Sequence, residues 1–315
     1  MSASAMHADE WPIDVALVRR LLAAQFPRWA ELPIERFASS GTVNALFRLG
    51  DDLAVRLPRI AGGAGDVERE HRWLPWLAPK LPVPIPAVLG KGVPGDGFPW
   101  PWTVHRWLDG ENPREGHVAR PARLAADLAE FIVALRRIEP ADGPPAYRGG
   151  PLREVDEETR TAIGLLEGTI DTGTATAAWQ EALAAPGWDG PPVWTHSDLM
   201  PGNLLVADGR LSAVIDFGTA GVGDPACDLI PAWNLLPASV REDFRTVLGV
   251  DDATWARGRG WALSMALIQL PYYRETNPAM AANARHVIQE VQSETSSMAS
   301  TSGAPLAVET GGGSL

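Results

Sequence analysis

The fold of this protein is decided by the stretch HSDLMPGNLLVADGRLSAVIDFG, which occupies residues 196–218. Apolar runs flank Asp208-Gly209, and Asp-Gly between such runs is a strong signal of a β-hairpin with a two-residue turn. Pairing outward from this turn places Asn203 opposite Val214, with Asp216 two residues further along. Diagonal neighbours across antiparallel strands lie about 7–8 Å apart. The hairpin therefore predicts that the side chains of Asn203 and Asp216 converge on one site.

The polar side chains of this stretch suit one kind of chemistry. Amide and carboxylate oxygens are ligands for Mg²⁺, which takes one or two protein ligands and completes its shell with phosphates and water. Asp198 precedes Asn203 in the loop 196–202, and a carboxylate there can accept a proton from a substrate hydroxyl. Phosphoryl transfer requires a base, metal ligands and cationic contacts to the nucleotide phosphates. The stretch contains candidates for the first two.

These motifs resemble those of a known family. His196-x-Asp198-x4-Asn203, followed by residues 216–218 (Asp-Phe-Gly), resembles the catalytic loop and metal motif of protein kinases. Residues 196–203 resemble more specifically the aminoglycoside phosphotransferases, which typically carry Asp-Pro-x-x-Asp-Leu shortly afterwards, here at 224–229. A looser resemblance extends from about Phe37 to Tyr273. Together the order and spacing of these motifs are far more specific than any one of them.

The resemblance implies a role for each matching residue. Asp198 would be the catalytic base, and Asn203 and Asp216 would be the metal ligands. His196 and Asp228 would hold the catalytic loop in place. The resemblance also implies ATP, or GTP, and Mg²⁺ as cofactors. The alternative interpretation is that Asp228 is a surface charge and that Asp224, four residues earlier, is a helix N-cap.

The nucleotide is expected to bind in the N-terminal half. The strand-like run 53–57 is where protein kinases place Ala-x-Lys, and alternation puts Ala54 and Arg56 on one face. Arginine replaces lysine here, although it can still bind phosphate with a forked contact. The chain has only two lysines, both in later turn-like stretches, so neither is expected to substitute. Glu70 matches the ion-pair partner of the kinase lysine; a solvent-facing arginine and an exposed helix charge are the alternatives.

Two further segments complete the expected nucleotide site. The loop that contains Ser40 and Gly41 has one glycine instead of a full glycine-rich pattern, but hydroxyl groups and backbone amides can also line phosphates. A hinge between two lobes is expected near His105-Arg106-Trp107. The backbone groups of these three residues are predicted to hydrogen-bond adenine.

The periodicity predicts an α+β, protein-kinase-like fold with two lobes. An opening helix begins after an N-cap at Asp14, and strand-like runs with one inserted helix follow. The N-terminal lobe, an antiparallel sheet, should cover residues 1–107. Long helical patterns then predict a larger, mainly helical C-terminal lobe over residues 108–292. From residue 293 to 315 Ser, Thr, Gly and Ala dominate without periodicity, which predicts a disordered tail.

Composition narrows the class of protein and of partner. Hydrophobic residues make up 45% and charged residues 21%, which is typical of a globular chain, and no apolar stretch is long enough for a membrane. The N-terminus lacks a signal peptide, and Cys227 is the single cysteine, so we expect a cytoplasmic protein. The net charge of −12 without a basic run argues against nucleic acid. It is compatible with a cationic substrate, or is only a solubility device.

The function expected from these features is phosphorylation of a small-molecule hydroxyl, with an aminoglycoside or another antibiotic as the favoured acceptor. One alternative is a metabolic kinase for choline, homoserine, a methylthio-sugar or a glycated amine, since related kinases share the motifs. Another is a pseudokinase-like nucleotide-binding module, which the arginine at position 56 keeps open. The acidic cluster 154–158 is either a cation-binding surface or a solvated helix face. The sequence leaves the oligomeric state open.

Overall fold

The structure is a computed structural model that describes the backbone of residues 10–37 and 43–302 and the side chains up to residue 297. The first third contains five strands and two helices, and helices dominate afterwards. In chain order they are α1 (Val15–Gln25), β1 (Ile34–Phe37), β2 (Asn44–Leu49), β3 (Leu53–Pro58), α2 (Ala64–Leu77), β4 (Val88–Gly92), β5 (Trp102–Arg106), α3 (Pro121–Arg136), α4 (Asp156–Leu165), α5 (Thr172–Ala184), β6 (Val193–Thr195), β7 (Leu204–Ala207), β8 (Arg210–Val214), β9 (Gly221–Gly223), α6 (Pro231–Asn234), α7 (Arg241–Leu248), α8 (Asp252–Tyr273) and α9 (Pro278–Ser302).

The N-terminal lobe is a five-stranded antiparallel sheet in the order β1-β2-β3-β5-β4. Helix α1 covers one face of it, because Val18, Leu21 and Leu22 are fully buried in one cluster with side chains of β2, β3 and β5. Asp14 is the N-cap of α1 and accepts a hydrogen bond from the Leu17 amide at 2.7 Å. The predicted antiparallel sheet and helix cap are both confirmed.

The C-terminal lobe is mainly helical and has its own core. Helices α3 to α9 enclose a large apolar cluster that includes Trp179, Trp194 and Trp233, all fully buried. Two small antiparallel pairs, β6 with β9 and β7 with β8, lie on the side of this core that carries the polar motifs. Among the described residues no helix is both long and apolar enough to span a bilayer.

The hairpin β7–β8 is present, with one correction to its register. Asp208 and Gly209 have φ values of 52° and 75°, as a two-residue turn requires. A bulge then shifts the pairing, so that Val214 faces Leu204 and not Asn203. The prediction was wrong by one residue because a β-bulge inserts an unpaired residue into one strand. Asn203 instead ends a 3₁₀ turn, and its carbonyl oxygen accepts from the Ile215 amide at 2.9 Å.

The predicted tail begins too early. Helix α9 continues to Ser302, so residues 293–302 are helical, and residues 303–315 lie outside the described part of the chain. Glu294 accepts a hydrogen bond from the buried Trp233 Nε1 at 2.8 Å. The hydroxyl groups of Thr295 and Ser296 donate to carbonyl oxygens one turn earlier. Composition without apolar periodicity misled the prediction because these contacts, not an apolar stripe, hold the last turns.

Candidate active site

Asp198 lies in the loop between β6 and β7, and two side chains fix its carboxylate. Asn203 Nδ2 donates to Asp198 Oδ2 at 2.9 Å and to the Asp198 carbonyl oxygen at 2.8 Å. Arg148 Nη1 donates to the other carboxylate oxygen, Oδ1, at 3.0 Å. The Asp198 side chain remains 24% exposed. A substrate can therefore reach a carboxylate whose orientation is already set.

Asp228 supports this loop from beneath. Its carboxylate is fully buried and accepts from the backbone amides of His196 at 2.9 Å and Ser197 at 2.8 Å. Burial raises the pKa of Asp228, which the two amide donors oppose. Ser197 has a φ of 60°, in the left-handed region that non-glycine residues seldom adopt. The interpretation of Asp228 as a surface charge is wrong, because its side chain is buried against the loop.

His196 is a buried structural group. Its Nε2 donates to the Ile215 carbonyl oxygen at 3.0 Å, which ties the loop 196–202 to the end of β8. The ring packs edge-on against Phe217, with centroids 4.7 Å apart. This pair of contacts positions the residues on either side of Asp216. The arrangement agrees with the supporting role that the resemblance implied, which stays a prediction.

Asp216 follows β8 in the left-handed conformation, with a φ of 66°. Its Oδ1 accepts from Arg56 Nη2 at 2.5 Å, and its side chain is 40% exposed. Asn203 uses its amide nitrogen to hold Asp198, which leaves the oxygen as the end of the amide that can face a cation. Two oxygen ligands fit Mg²⁺, which completes its shell with phosphate oxygens and water. Across residues 10–37 and 43–302, no cluster of three or more His, Cys or acidic side chains could hold a metal.

Arg56 and Glu70 form the predicted ion pair. Arg56 Nη1 lies 2.7 Å from both carboxylate oxygens of Glu70, which is only 2% exposed. Glu70 Oε1 also accepts from the Phe217 amide at 2.9 Å. The side-chain amide oxygen of Asn44 faces Arg56 and accepts a hydrogen bond from its Nη2 at 2.9 Å. Glu70 thus connects β3, through Arg56, with the residue after Asp216.

The charges in this network shift one another's ionisation. Burial opposes the charged form of Arg56, but Asp216 and Glu70 together raise its pKa above the usual value. Burial raises the pKa of Glu70, while Arg56 acts in the opposite direction. The alternatives, a solvent-facing arginine and an exposed helix charge, are both wrong. Ala54 lies two residues before Arg56 on β3 and is 8% exposed.

Asp66 lies beside the candidate site, and sequence reasoning missed it. Asp66 lies on α2, one helical turn before Glu70. Its carboxyl group packs against Gly218, because a Cβ added to Gly218 would come within 2.7 Å of the Asp66 carboxyl carbon. Burial, followed by the negative charges of Asp216 and Glu70, raises the pKa of Asp66 to about 6. An acidic residue in the first turn of a helix is common, so the sequence carried no signal of this contact.

The predicted adenine hinge is partly corrected. The Arg106 amide donates to the Ala87 carbonyl oxygen at 3.1 Å, and the Trp107 amide donates to the backbone carbonyl oxygen of Asp52 at 2.7 Å. These two donors are already used within the sheet, so they cannot also bind adenine. The His105 ring is buried against Thr103, with Nε2 2.7 Å from Oγ1, and burial lowers the pKa of His105 to about 3. The predicted phosphate contacts Ser40 and Gly41 lie outside the described residues.

Neither lysine takes the place of Arg56. Lys91 lies on β4, not in a turn as expected, and forms an ion pair with Glu68 at 2.6 Å. Lys80 donates to the Trp76 carbonyl oxygen at 2.5 Å. Both contacts are separate from the network of Arg56. The expectation that neither lysine substitutes agrees with these positions.

Arg148 and Asn112, both in irregular segments, also hold the loop that carries Asp198. The segment 143–149 runs beside β9, where Tyr147 and Ala146 donate their amides to the carbonyl oxygens of Thr219 and Val222, both at 3.1 Å. This alignment brings Arg148 to Asp198. Asn112 Nδ2 donates to the carbonyl oxygens of residues 202 and 204, at 2.9 and 2.8 Å. Irregular segments have no periodicity, so the sequence did not indicate either residue.

Other polar residues of the motifs have structural positions. Asp224 is a helix cap, accepting from the Ala226 amide at 2.9 Å, and also forms a buried ion pair with Arg257 at 2.8 Å. The acidic cluster 154–158 begins α4, where Asp156 accepts from Trp179 Nε1 at 2.7 Å. These contacts favour a structural role for both groups.

Comparison with known proteins identifies the family of this chain. A family model described as "Phosphotransferase enzyme family" matches residues 34–261, well over half of the chain. An aminoglycoside 3′-phosphotransferase from Escherichia coli is 27% identical over 257 residues, which cover 77% of this chain and 92% of that protein.

Two solved structures show the same fold. The GDP and kanamycin complex of aminoglycoside phosphotransferase APH(2″)-IIIa matches with a TM-score of 0.69 and 21% identity, over 88% of this chain and 98% of that one. A macrolide 2′-phosphotransferase from Brachybacterium faecium matches with a TM-score of 0.58 and 21% identity, again over 88% and 98%. The fold is thus the predicted two-lobed, kinase-like α+β fold, and the chain belongs to the phosphotransferase enzyme family.

Proposed function

We propose that this protein transfers the terminal phosphoryl group of ATP or GTP to a hydroxyl group of a small antibiotic, with an aminoglycoside as the favoured acceptor. One observation carries the proposal. The carboxylate of Asp198, oriented by Asn203 and Arg148, lies on a loop that is tied through His196 to the strand leading into Asp216. Phosphoryl transfer depends mainly on such positioning and on electrostatic stabilisation.

The residues divide the reaction between them. Asp198 accepts the proton of the acceptor hydroxyl while the hydroxyl oxygen forms a bond to the terminal phosphorus. The bond from that phosphorus to the bridging oxygen breaks, and the nucleoside diphosphate leaves with the electron pair. Mg²⁺ bound by Asn203 and Asp216 would neutralise phosphate charge during the transfer.

Arg56 supplies the cationic contact to the phosphates. It is held by Glu70, which fixes one edge of the guanidinium and leaves Nη2, now on Asp216, facing the site. When a nucleotide and its cation bind, Nη2 can exchange the carboxylate of Asp216 for phosphate oxygen. A planar guanidinium binds two oxygens at once, so this exchange does not require Glu70 to be released.

The acceptor class is supported by chemistry and by relatives. The E. coli relative is an aminoglycoside phosphotransferase, and a structural neighbour binds kanamycin. The net charge of −12 is compatible with a polycationic acceptor. The macrolide 2′-phosphotransferase keeps macrolides in the panel of acceptors to be tested.

The test is a phosphorylation assay, read by mass shift, over aminoglycosides, macrolides and the metabolic alcohols choline, homoserine and a methylthio-sugar. Phosphorylation of an antibiotic by the wild type, abolished in Asp198→Asn while calorimetry shows unchanged nucleotide binding, is the expected result. Transfer only to a metabolic alcohol would replace the antibiotic assignment. Nucleotide binding without transfer to any acceptor would leave a binding module, and full activity of Asp198→Asn would remove the proposed base.

A further inference from the structure

Arg69 is a charged residue of α2 that the proposed reaction does not use. It is half-buried and adjoins Glu70, and neighbouring residues of a helix do not share a face. Glu70 therefore meets Arg56 on β3, whereas Arg69 extends to the C-terminal lobe. Arg69 Nη1 donates to the carbonyl oxygens of Ala220 at 3.0 Å and Pro145 at 3.1 Å. One nitrogen thus holds two segments of the other lobe.

The apolar side chains of α2 are also anchored in the C-terminal lobe. Leu74 and Leu77 belong to the core cluster of that lobe, and each is 1% exposed. The Trp73 ring packs edge-on against the buried Trp194, with centroids 5.1 Å apart. Arg69 lies one turn before Trp73 on the same helix. It therefore extends the contact between α2 and the C-terminal lobe from the apolar core toward the candidate site.

The two carbonyl oxygens that Arg69 binds lie on a seam formed by residues 143–149 and residues 219–224. Backbone hydrogen bonds join the two segments, as where the Val222 amide donates to the Pro144 carbonyl oxygen at 2.8 Å. The contact is close, since a Cβ added to Gly221 would come within 2.4 Å of the same oxygen. One segment of the seam therefore cannot move without the other.

Both segments of the seam hold the loop of the candidate base. On one segment, Thr219 Oγ1 donates to the His196 carbonyl oxygen at 3.0 Å, and the Thr219 carbonyl oxygen accepts from Ser197 Oγ at 2.9 Å. On the other segment, Arg148 Nη1 donates to the carboxylate of Asp198 at 3.0 Å. A displacement of the seam would therefore displace the base.

We propose that Arg69 is a positioning residue for phosphoryl transfer, which fixes the seam to α2 and thereby keeps Asp198 aligned with the nucleotide. The inference rests on the proposed function and adds to it a residue that acts through the seam. The helix that carries Arg69 also carries Glu70, the partner of the phosphate contact Arg56. A guanidinium suits this task because charge-assisted hydrogen bonds are stronger than neutral ones.

Three variants separate this role from a contribution to stability alone. Arg69→Met keeps most of the aliphatic stem and removes the donor. Arg69→Lys keeps a cationic nitrogen, and one nitrogen makes both contacts in the wild type, so lysine should restore part of the function. Arg19→Met is the matched control, because Arg19 Nη1 donates to the Ala30 carbonyl oxygen at 2.7 Å within the N-terminal lobe. If Arg69→Met does not fold, Arg69→Gln, whose side chain is too short to reach the seam, takes its place.

Hydrogen exchange of the full chain, followed by mass spectrometry, measures the seam without any acceptor. The amides of Ala146 and Tyr147 donate across the seam. We expect them to exchange about tenfold faster in Arg69→Met, the effect of losing a hydrogen bond from a charged group. Arg69→Lys should lie between this rate and that of the wild type, and Arg19→Met should match the wild type. Unchanged exchange across the seam in Arg69→Met would overturn the inference.

Steady-state kinetics with an acceptor that the wild type phosphorylates tests the catalytic consequence. We expect kcat to fall about tenfold in Arg69→Met, with both KM values within about twofold of the wild type, because positioning is lost and binding is not. Arg69→Lys should recover most of kcat, and Arg19→Met should keep all of it. A lower unfolding temperature of Arg69→Met with the wild-type kcat would reject the positioning role alone. Absence of transfer from the wild type to any acceptor would reject the proposed function, and this role with it.

Discussion

Arg148 Nη1 lies 3.0 Å from Asp198 Oδ1 and 3.0 Å from the carbonyl oxygen of Ser197. One guanidinium therefore holds both the candidate base and the backbone of its loop. Asn203 holds the second carboxylate oxygen, so Asp198 is oriented from two sides. The segment that carries Arg148 is itself tied to β9 by backbone hydrogen bonds. The geometry of the base thus depends on a part of the chain some fifty residues away.

Arg148→Met is expected to reduce turnover by about a hundredfold, because a small misplacement of a catalytic group can cost that much. Nucleotide affinity should be unchanged, since Arg148 contacts the base and not the network of Arg56. Steady-state kinetics with an acceptor found in the phosphorylation assay, together with ATP calorimetry, measure both quantities. Arg153→Met, at an exposed position, is the control. A loss of ATP affinity with normal turnover would contradict this role.

Arg56→Met is expected to destabilise the protein by about 3–5 kcal/mol, because it leaves the buried carboxylate of Glu70 without its partner. Arg56→Lys should keep most of the stability, since an ammonium group can still pair with Glu70. The double variant Arg56→Met/Glu70→Gln should recover part of the loss. Urea denaturation at neutral pH gives the free energies of unfolding. Equal stability of the two single variants at position 56 would argue against a tightly held ion pair.

Gly218→Ala should destabilise the protein by about 1–3 kcal/mol and lower activity, because a Cβ at this position would come within 2.7–2.9 Å of Asp66. Gly65→Ala, on α2 next to Asp66, is the matched control. A Cβ at Gly65 meets no described atom within 4 Å, and alanine favours helices, so this change should be neutral or slightly stabilising. Thermal unfolding measures the stability of the two variants, and steady-state kinetics measures their turnover. Similar behaviour of both would show that α2 does not approach Gly218 closely.

Asp66→Asn should change how stability depends on pH. The pKa of Asp66 is raised from 3.8 to about 6 in the folded protein, so the folded state binds the proton more tightly than the unfolded state. The stabilising contribution of protonated Asp66 is complete below pH 4 and is lost as the pH rises through 6. Because the group is partly exposed, we expect Asp66→Asn to be more stable by only about 1 kcal/mol above pH 7.

Urea denaturation of wild type and Asp66→Asn in metal-free buffer, from pH 4 to pH 8, measures this difference. The two free energies of unfolding should be close at pH 4 and diverge as the pH rises. Asp243→Asn, on the first turn of α7 and outside the network of Arg56, provides the control for loss of one charge. A difference that is constant with pH would mean that the pKa of Asp66 is not raised.

Much of the fold was predictable because the signals are local. The turn at Asp208-Gly209 requires two positive φ values, which this dipeptide adopts easily, and the alternation along β2 and β3 predicted the sheet. The bulge in β8 was not predictable, since it depends on how the hairpin packs, and it changed the partner of Val214. The helical turns after residue 292 were missed because polar contacts replace an apolar stripe there.

By itself the sequence predicted phosphoryl transfer and the residues at the centre of the candidate site. The order and spacing of His196, Asp198, Asn203 and Asp216 fall within one short stretch, whose local geometry leaves few ways to arrange them. Only the tertiary structure decided which residues complete the site. Arg148 reaches the candidate base from a distant irregular segment, and Glu70 on α2 accepts a hydrogen bond from the amide of Phe217, the residue after Asp216. Such positions depend on packing between elements far apart in the chain, which no local pattern records.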